Sequence, residues 1–72
     1  MGMARYMVTI RLNDELYPEA YFFNDPGIAN RFYYDKREFY KDNSLFTGSL
    51  VQLWKLSTDE ESWNLKLSCD NP

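Results

Sequence analysis

Two stretches of strict two-residue alternation stand near opposite ends of the chain. In the first, Tyr6, Val8, Ile10 and Leu12 interleave with Met7, Thr9 and Arg11; in the second, Trp63, Leu65, Leu67 and Cys69 interleave with Asn64, Lys66 and Ser68. Successive side chains of a strand point to opposite faces, so each stretch predicts a strand with one face buried and the other wetter. The residues between them must supply the cover for both buried faces.

The intervening sequence offers two more strands and one helix. Asn13-Asp14-Glu15 has turn chemistry, and the β-favouring run from Leu16 to Phe23 completes a first hairpin. Tyr21 and Phe23 share one face of that strand, Leu16, Ala20 and Phe22 the other, and Pro18 lacks a donor that a central strand needs, which predicts an edge position. Asn24-Asp25-Pro26 predicts a helix start, because Asp25 can cap free N–H groups and Pro26 gives up a donor that has no partner in the first turn. On the helical wheel Ile28, Ala29, Phe32, Phe39 and Tyr40 form the expected core stripe. Lys36 interrupts it and is expected to snorkel at the rim. Asp42-Asn43-Ser44 ends the helix, with Asn43 the expected left-handed residue.

Leu45 to Ser49 reads as an approach segment, and Leu50 to Leu56, apolar on both faces, as a central strand. Ser57-Thr58-Asp59-Glu60-Glu61 then forms a polar turn into the last strand, making a second hairpin. The predicted fold is α+β, a four-stranded antiparallel sheet with one helix packed on one face, in the order β-β-α-β-β. It is a single small domain over 3–69, with 70–72 a frayed tail. Tyr6, Val8, Ile10, Leu12, Trp63, Leu65 and Leu67 are expected to face the helix, leaving Arg5, Met7, Thr9, Arg11, Asn64 and Lys66 on the opposite, wetter face.

At 72 residues such a domain has little core to draw on, and its five Phe, six Tyr and two Trp are read mainly as filling it. One cysteine and no histidine provide neither a disulfide within the chain nor a Cys/His zinc site. A reducing, cytoplasmic compartment is the simplest expectation. Met1-Gly2-Met3-Ala4-Arg5 lacks the apolar run of a signal peptide, Met1 and Gly2 are left out of the fold argument, and no run approaches the ~20 apolar residues of a membrane span. A net charge of −3 disfavours generic attraction to nucleic acid or anionic lipid.

The same inventory argues against catalysis. Without histidine there is no Ser-His-Asp or Cys-His arrangement, and the commonest general base and metal ligand is missing. Gly2, Gly27 and Gly48 are isolated, so no phosphate-cradling loop is present. The acids sit mostly in turns rather than in apolar pockets that would raise their pKa. Asp59, Glu60 and Glu61 lack the spacing of a calcium loop and read as a solvated turn. Cys69, in phase with Trp63, Leu65 and Leu67, reads as a small core residue. The expectation is therefore no enzyme, no cofactor and no metal.

Binding is what remains. The segment from Arg31 to Lys41 is basic and aromatic within an acidic chain, and the wheel gathers Asn30, Tyr34, Arg37 and Lys41 opposite the core stripe, residue types suited to a protein interface. The same residues could stack a base and contact phosphates; the plainer alternative is a solvated face with an Arg31 to Asp35 pair. A second candidate is the sheet face away from the helix, where Met7, Arg11, Tyr17, Tyr21 and Trp54 could assemble a patch, and where self-association would add burial. In size, charge and element order the chain resembles the small acidic αβ inhibitors that phages make against host systems. The expected function is a non-catalytic protein-binding module or small modulator of a larger protein. A nucleic-acid-binding domain and a structural subunit of a homo-oligomer are the alternatives, and no membrane partner is expected.

Overall fold

The computed structural model of the chain describes residues 4–13 and 15–72. The readings made on Met1 to Met3 and the turn role of Asp14 lie outside the described residues. Strand β1 (Tyr6–Arg11) is followed by β2 (Glu19–Phe23), helix α1 (Pro26–Tyr40), a short 3-10 turn (Ser44–Phe46), β3 (Leu50–Leu56) and β4 (Trp63–Asp70). The four strands form one antiparallel sheet in the order β2-β1-β3-β4, and α1 lies on one face of it. The β-β-α-β-β architecture is as the sequence predicts, with β2 at an edge and β3 inside.

Register decides which residues meet the helix. Tyr6, Val8 and Ile10 stand opposite Phe23, Tyr21 and Glu19 on β2 and opposite Lys55, Leu53 and Val51 on β3. Directly opposed residues share a face, so the central pairs make the floor of the core. Val8, Ile10, Val51 and Leu53 are buried there with Ala29 and Tyr33 of the helix, and Tyr6, Leu12, Phe23, Phe32, Tyr40 and Leu67 pack around them. The helix starts as read: Asp25 accepts from the main-chain N–H of Gly27 at 2.7 Å and of Ile28 at 3.4 Å, with Pro26 at its first position.

The helix is rolled relative to the expected stripe. Ala29 and Tyr33 are buried, whereas Ile28 and Phe39 are each 55% exposed. Ala29, Tyr33, Lys36 and Tyr40 recur at the four- and three-residue steps of a helical stripe, and small Ala29 lets the helix axis approach the sheet. Phe32, on one flank of that stripe, reaches Tyr21 and Phe23 with ring centroids 5.0 Å away in each case. The Lys36 ammonium sits 5.3 Å from the Phe32 ring centroid, as a half-buried rim cation should.

Three further expectations are corrected. Asn43 is not left-handed: its φ is −89°, and its side chain accepts from Leu45 N–H to start the 3-10 turn. The frayed tail does not hold for Asp70 and Asn71, since Asp70 closes β4 and Asn71 is buried. Trp63 and Leu65 do not face the helix, because β4 carries a bulge at Lys66. Leu53 pairs with Leu67 but Trp54 pairs with Leu65, leaving Lys66 without a partner on β3. One extra residue reverses the phase of everything beyond it. Leu67 and Cys69 therefore point to the helix side, and Leu65 and Trp63 to the other.

Candidate functional site

The bulge completes an apolar row on the open face of the sheet. On the sheet face away from α1, Phe22, Met7, Trp54 and Leu65 are successive cross-strand partners, one from each strand, and form an unbroken row from edge to edge. Phe22 is 58% and Leu65 48% exposed. Beside that row Trp63 stands opposite Leu56, and its ring comes within 6.1 Å of the Phe22 ring although the two come from opposite edges. Such inward leaning explains why Leu56 is buried on a face that no helix covers. The Trp54 indole N–H donates to the Thr9 hydroxyl oxygen at 3.0 Å, so the middle of the face offers no unpaired indole donor.

Charge is confined to the rim of this face. At one end Arg5 pairs with Glu60 at 2.9 Å, the two side chains 42% and 44% exposed. At the other end Arg11, Leu50 and Asp70 form a row across three strands, and neither Arg11 nor Asp70 enters an ion pair among the described residues. An apolar centre with a charged rim is the anatomy of a protein interface. Of the residues expected in a patch here, Met7, Arg11 and Trp54 are present. Tyr21 belongs to the helix side, opposite Val8, and Tyr17 is exposed in the loop before β2.

The helix flank read from sequence is assembled only in part. Asn30 is exposed, but its amide donates back to the Pro26 carbonyl at 2.8 Å. Tyr34 is 48% exposed and lies edge-on to Tyr33, with centroids 5.1 Å apart. Arg37 and Lys41 are both half-buried and share the Glu38 carboxylate, at 2.7 Å and 3.2 Å. One acid thus draws on both cations of the flank. The Arg31 to Asp35 pair is not formed; Arg37 and Lys41 make the helix ion pairs instead.

Beyond the C-terminal end of α1, a cleft of about 320 Å³ is lined by Leu12, Asn13, Leu45, Phe46 and Thr47. None of these five side chains titrates. In the β3–β4 turn the Asp59 carboxylate accepts from the Ser57 hydroxyl and from the Glu61 N–H, and these bonds hold its carboxyl below the usual range. Among the described residues no three His, Cys, Asp or Glu side chains converge as metal ligands would. Cys69, half-buried, stands opposite Val51 on the helix side.

Sequence reading missed Phe22, Leu56, Trp63 and Leu65 as members of this surface. Their apolar character was plain, but the face of Trp63 and Leu65 depends on the bulge, and that of Phe22 and Leu56 on how β2 and β3 register against β1. Comparison with known proteins gives no functional lead: no family model, no curated protein and no solved structure matches the chain. Among the described residues no helix is long and apolar enough to cross a membrane.

Proposed function

We propose that this chain is a non-catalytic protein-binding module that docks through the open face of its sheet. The observation that carries the reading is the row Phe22, Met7, Trp54 and Leu65, an apolar band across all four strands with no element of the described chain laid over it. Isolated exposed apolar residues are ordinary on a small domain, but a contiguous band with a charged rim marks an interaction surface. Aromatic side chains and methionine are also the types enriched in interface centres.

Two features favour the face over the edges. β2 is short and preceded by Pro18, and β4 is kinked by its bulge at Lys66; both devices discourage addition of a further strand. The helix flank ranks second, because its two cations already share Glu38, and a nucleic-acid role through Arg37 and Lys41 ranks below that for the same reason.

A photo-crosslinking residue placed at Leu65 or at Tyr34, in the cell of origin, tests the choice of surface. The face reading expects adducts from position 65 and few from position 34. Adducts formed from position 34 alone would transfer the function to the helix.

A further inference from the structure

We infer that the open face takes a second copy of this chain, forming a two-fold dimer in which sheet packs on sheet and the two helices lie outermost. The inference rests on the docking face proposed above and names its occupant.

The face is self-complementary in its register. A two-fold axis lying in the interface, parallel to the strands and between β1 and β3, places β2 of one copy over β4 of the other and β1 over β3. The row Phe22, Met7, Trp54, Leu65 then meets its own reverse. Phe22 lies over Leu65 of the second copy, and Met7 over its Trp54. The hydrogen bond from Trp54 to Thr9 holds each indole toward β1, so that two rings lie side by side about the axis with their N–H groups already satisfied. Aligned packing of this kind is a common way for two sheets to meet, about 10 Å apart and within about 30° of parallel.

Charge supplies the second argument. Arg11 on β1 and Asp70 on β4 lie in one row at the end of the face, with Leu50 between them, and neither has an ionic partner among the described residues. The same axis sets Arg11 one strand spacing (~4.8 Å) to the side of Asp70 in the second copy across the ~10 Å gap between the sheets, a separation that an arginine and an aspartate side chain together span. It does so twice, once on each side. Arg11 and Asp70 are thus complementary to each other across the interface, whereas a two-fold axis perpendicular to the strands would set Arg11 near Arg5.

The area approaches what a small interface needs. Strands of six, five, seven and eight residues at ~4.8 Å spacing and ~3.3 Å rise give a face of about 410 Å² in projection. Side-chain relief raises the accessible area above that projection, toward the lower end of the roughly 600–1,000 Å² per partner buried in stable interfaces. A chain with only seven buried hydrophobic side chains among its described residues gains most from such burial.

Light scattering and tryptophan emission over a dilution series test the inference on the intact chain. Both tryptophans lie on this face, so dissociation should shift their emission to the red as the mass falls from twice 8.6 kDa to 8.6 kDa. Phe22→Lys and Leu65→Lys, at exposed positions where the fold should survive, should each weaken the dimer at least tenfold with unchanged circular dichroism. Arg11→Asp and Asp70→Arg singly should weaken it several-fold, and the double exchange should restore it. A monomer at every concentration, a dimer indifferent to Phe22→Lys, or single and double charge exchanges that weaken it alike would each overturn the inference. If the chain is monomeric but crosslinks from position 65 to a different protein, the docking face stands and the second copy falls.

Discussion

The side-chain amide of Asn71 donates to the main-chain carbonyl of Tyr40 at 2.8 Å, tying the residue after the last strand to the last turn of the helix. Its other hydrogen reaches the carbonyl of Asn43, also at 2.8 Å, while its main chain exchanges hydrogen bonds with Gly48 and Ser49. A helix ends with carbonyls that have no partner in the helix, and here a buried amide from a distant part of the chain satisfies one of them. Asn71→Ala should destabilise the fold by about 1–3 kcal/mol, since it removes two side-chain hydrogen bonds to part-buried carbonyls. Asn71→Asp should be at least as costly, because a carboxylate would face those carbonyls. Urea unfolding midpoints read both, and an unchanged midpoint for Asn71→Ala would remove the residue from the support of the fold.

Ser49 makes the opposite case. Its hydroxyl oxygen is buried with no hydrogen-bond partner among the described residues, a desolvated polar group that returns nothing. Ser49→Ala should be neutral or stabilise by up to about 1 kcal/mol. Thermal unfolding of the variant checks this, and a clear loss of stability would mean the hydroxyl has a partner in solution.

Gly48 holds a φ of +89°, and a Cβ built there would come within 2.5 Å of the Asn13 side chain. Backbone geometry and space thus both require glycine at this one position. Gly48→Ala should cost more than about 1 kcal/mol. Asn13→Gly in the same chain should recover the part due to the clash but not the part due to φ, which unfolding of the single and double variants separates.

Tyr33 predicts the alkaline behaviour. Burial under the helix pushes its phenol above the ordinary value, so the folded chain keeps a proton that the unfolded chain loses near pH 10. A raised native pKa gives stability that is complete below about pH 10 and is lost as pH rises toward the native value. Tyr33→Phe has no proton to lose. Its unfolding midpoint should therefore fall less than that of the parent between about pH 9 and pH 11, and equal slopes would refute the assignment.

Much of this architecture was legible from local pattern. The alternation of Tyr6, Val8, Ile10 and Leu12 marked β1, Asp25 and Pro26 marked the helix start, and Pro18 marked β2 as an edge. Each of these signals acts within a few residues, through side-chain direction, a free N–H or a missing donor. The proposed docking face was legible only in part: Met7, Arg11 and Trp54 were read onto the open face, while Leu65 and Trp63 were assigned to the core. Asn30, Tyr34, Arg37 and Lys41 were read opposite the core stripe, but the roll of the helix places them beside it with Arg37 and Lys41 half-buried, and the role of Glu38 between those two emerged only from side-chain geometry.

The amino-acid sequence by itself determined which segments are strands and helix, and their order, because periodicity, capping and turn chemistry are short-range. The roll of the helix and the bulge at Lys66 were decided by tertiary packing. Two overlapping apolar stripes on α1 differ by a small rotation, and only contact with Val8 and Leu53 selects the one that buries Tyr33. A strand can absorb one extra residue at small local cost, yet that residue turns Trp63 and Leu65 from the core to the open face, so the apolar row on that face is completed by how β4 pairs with β3.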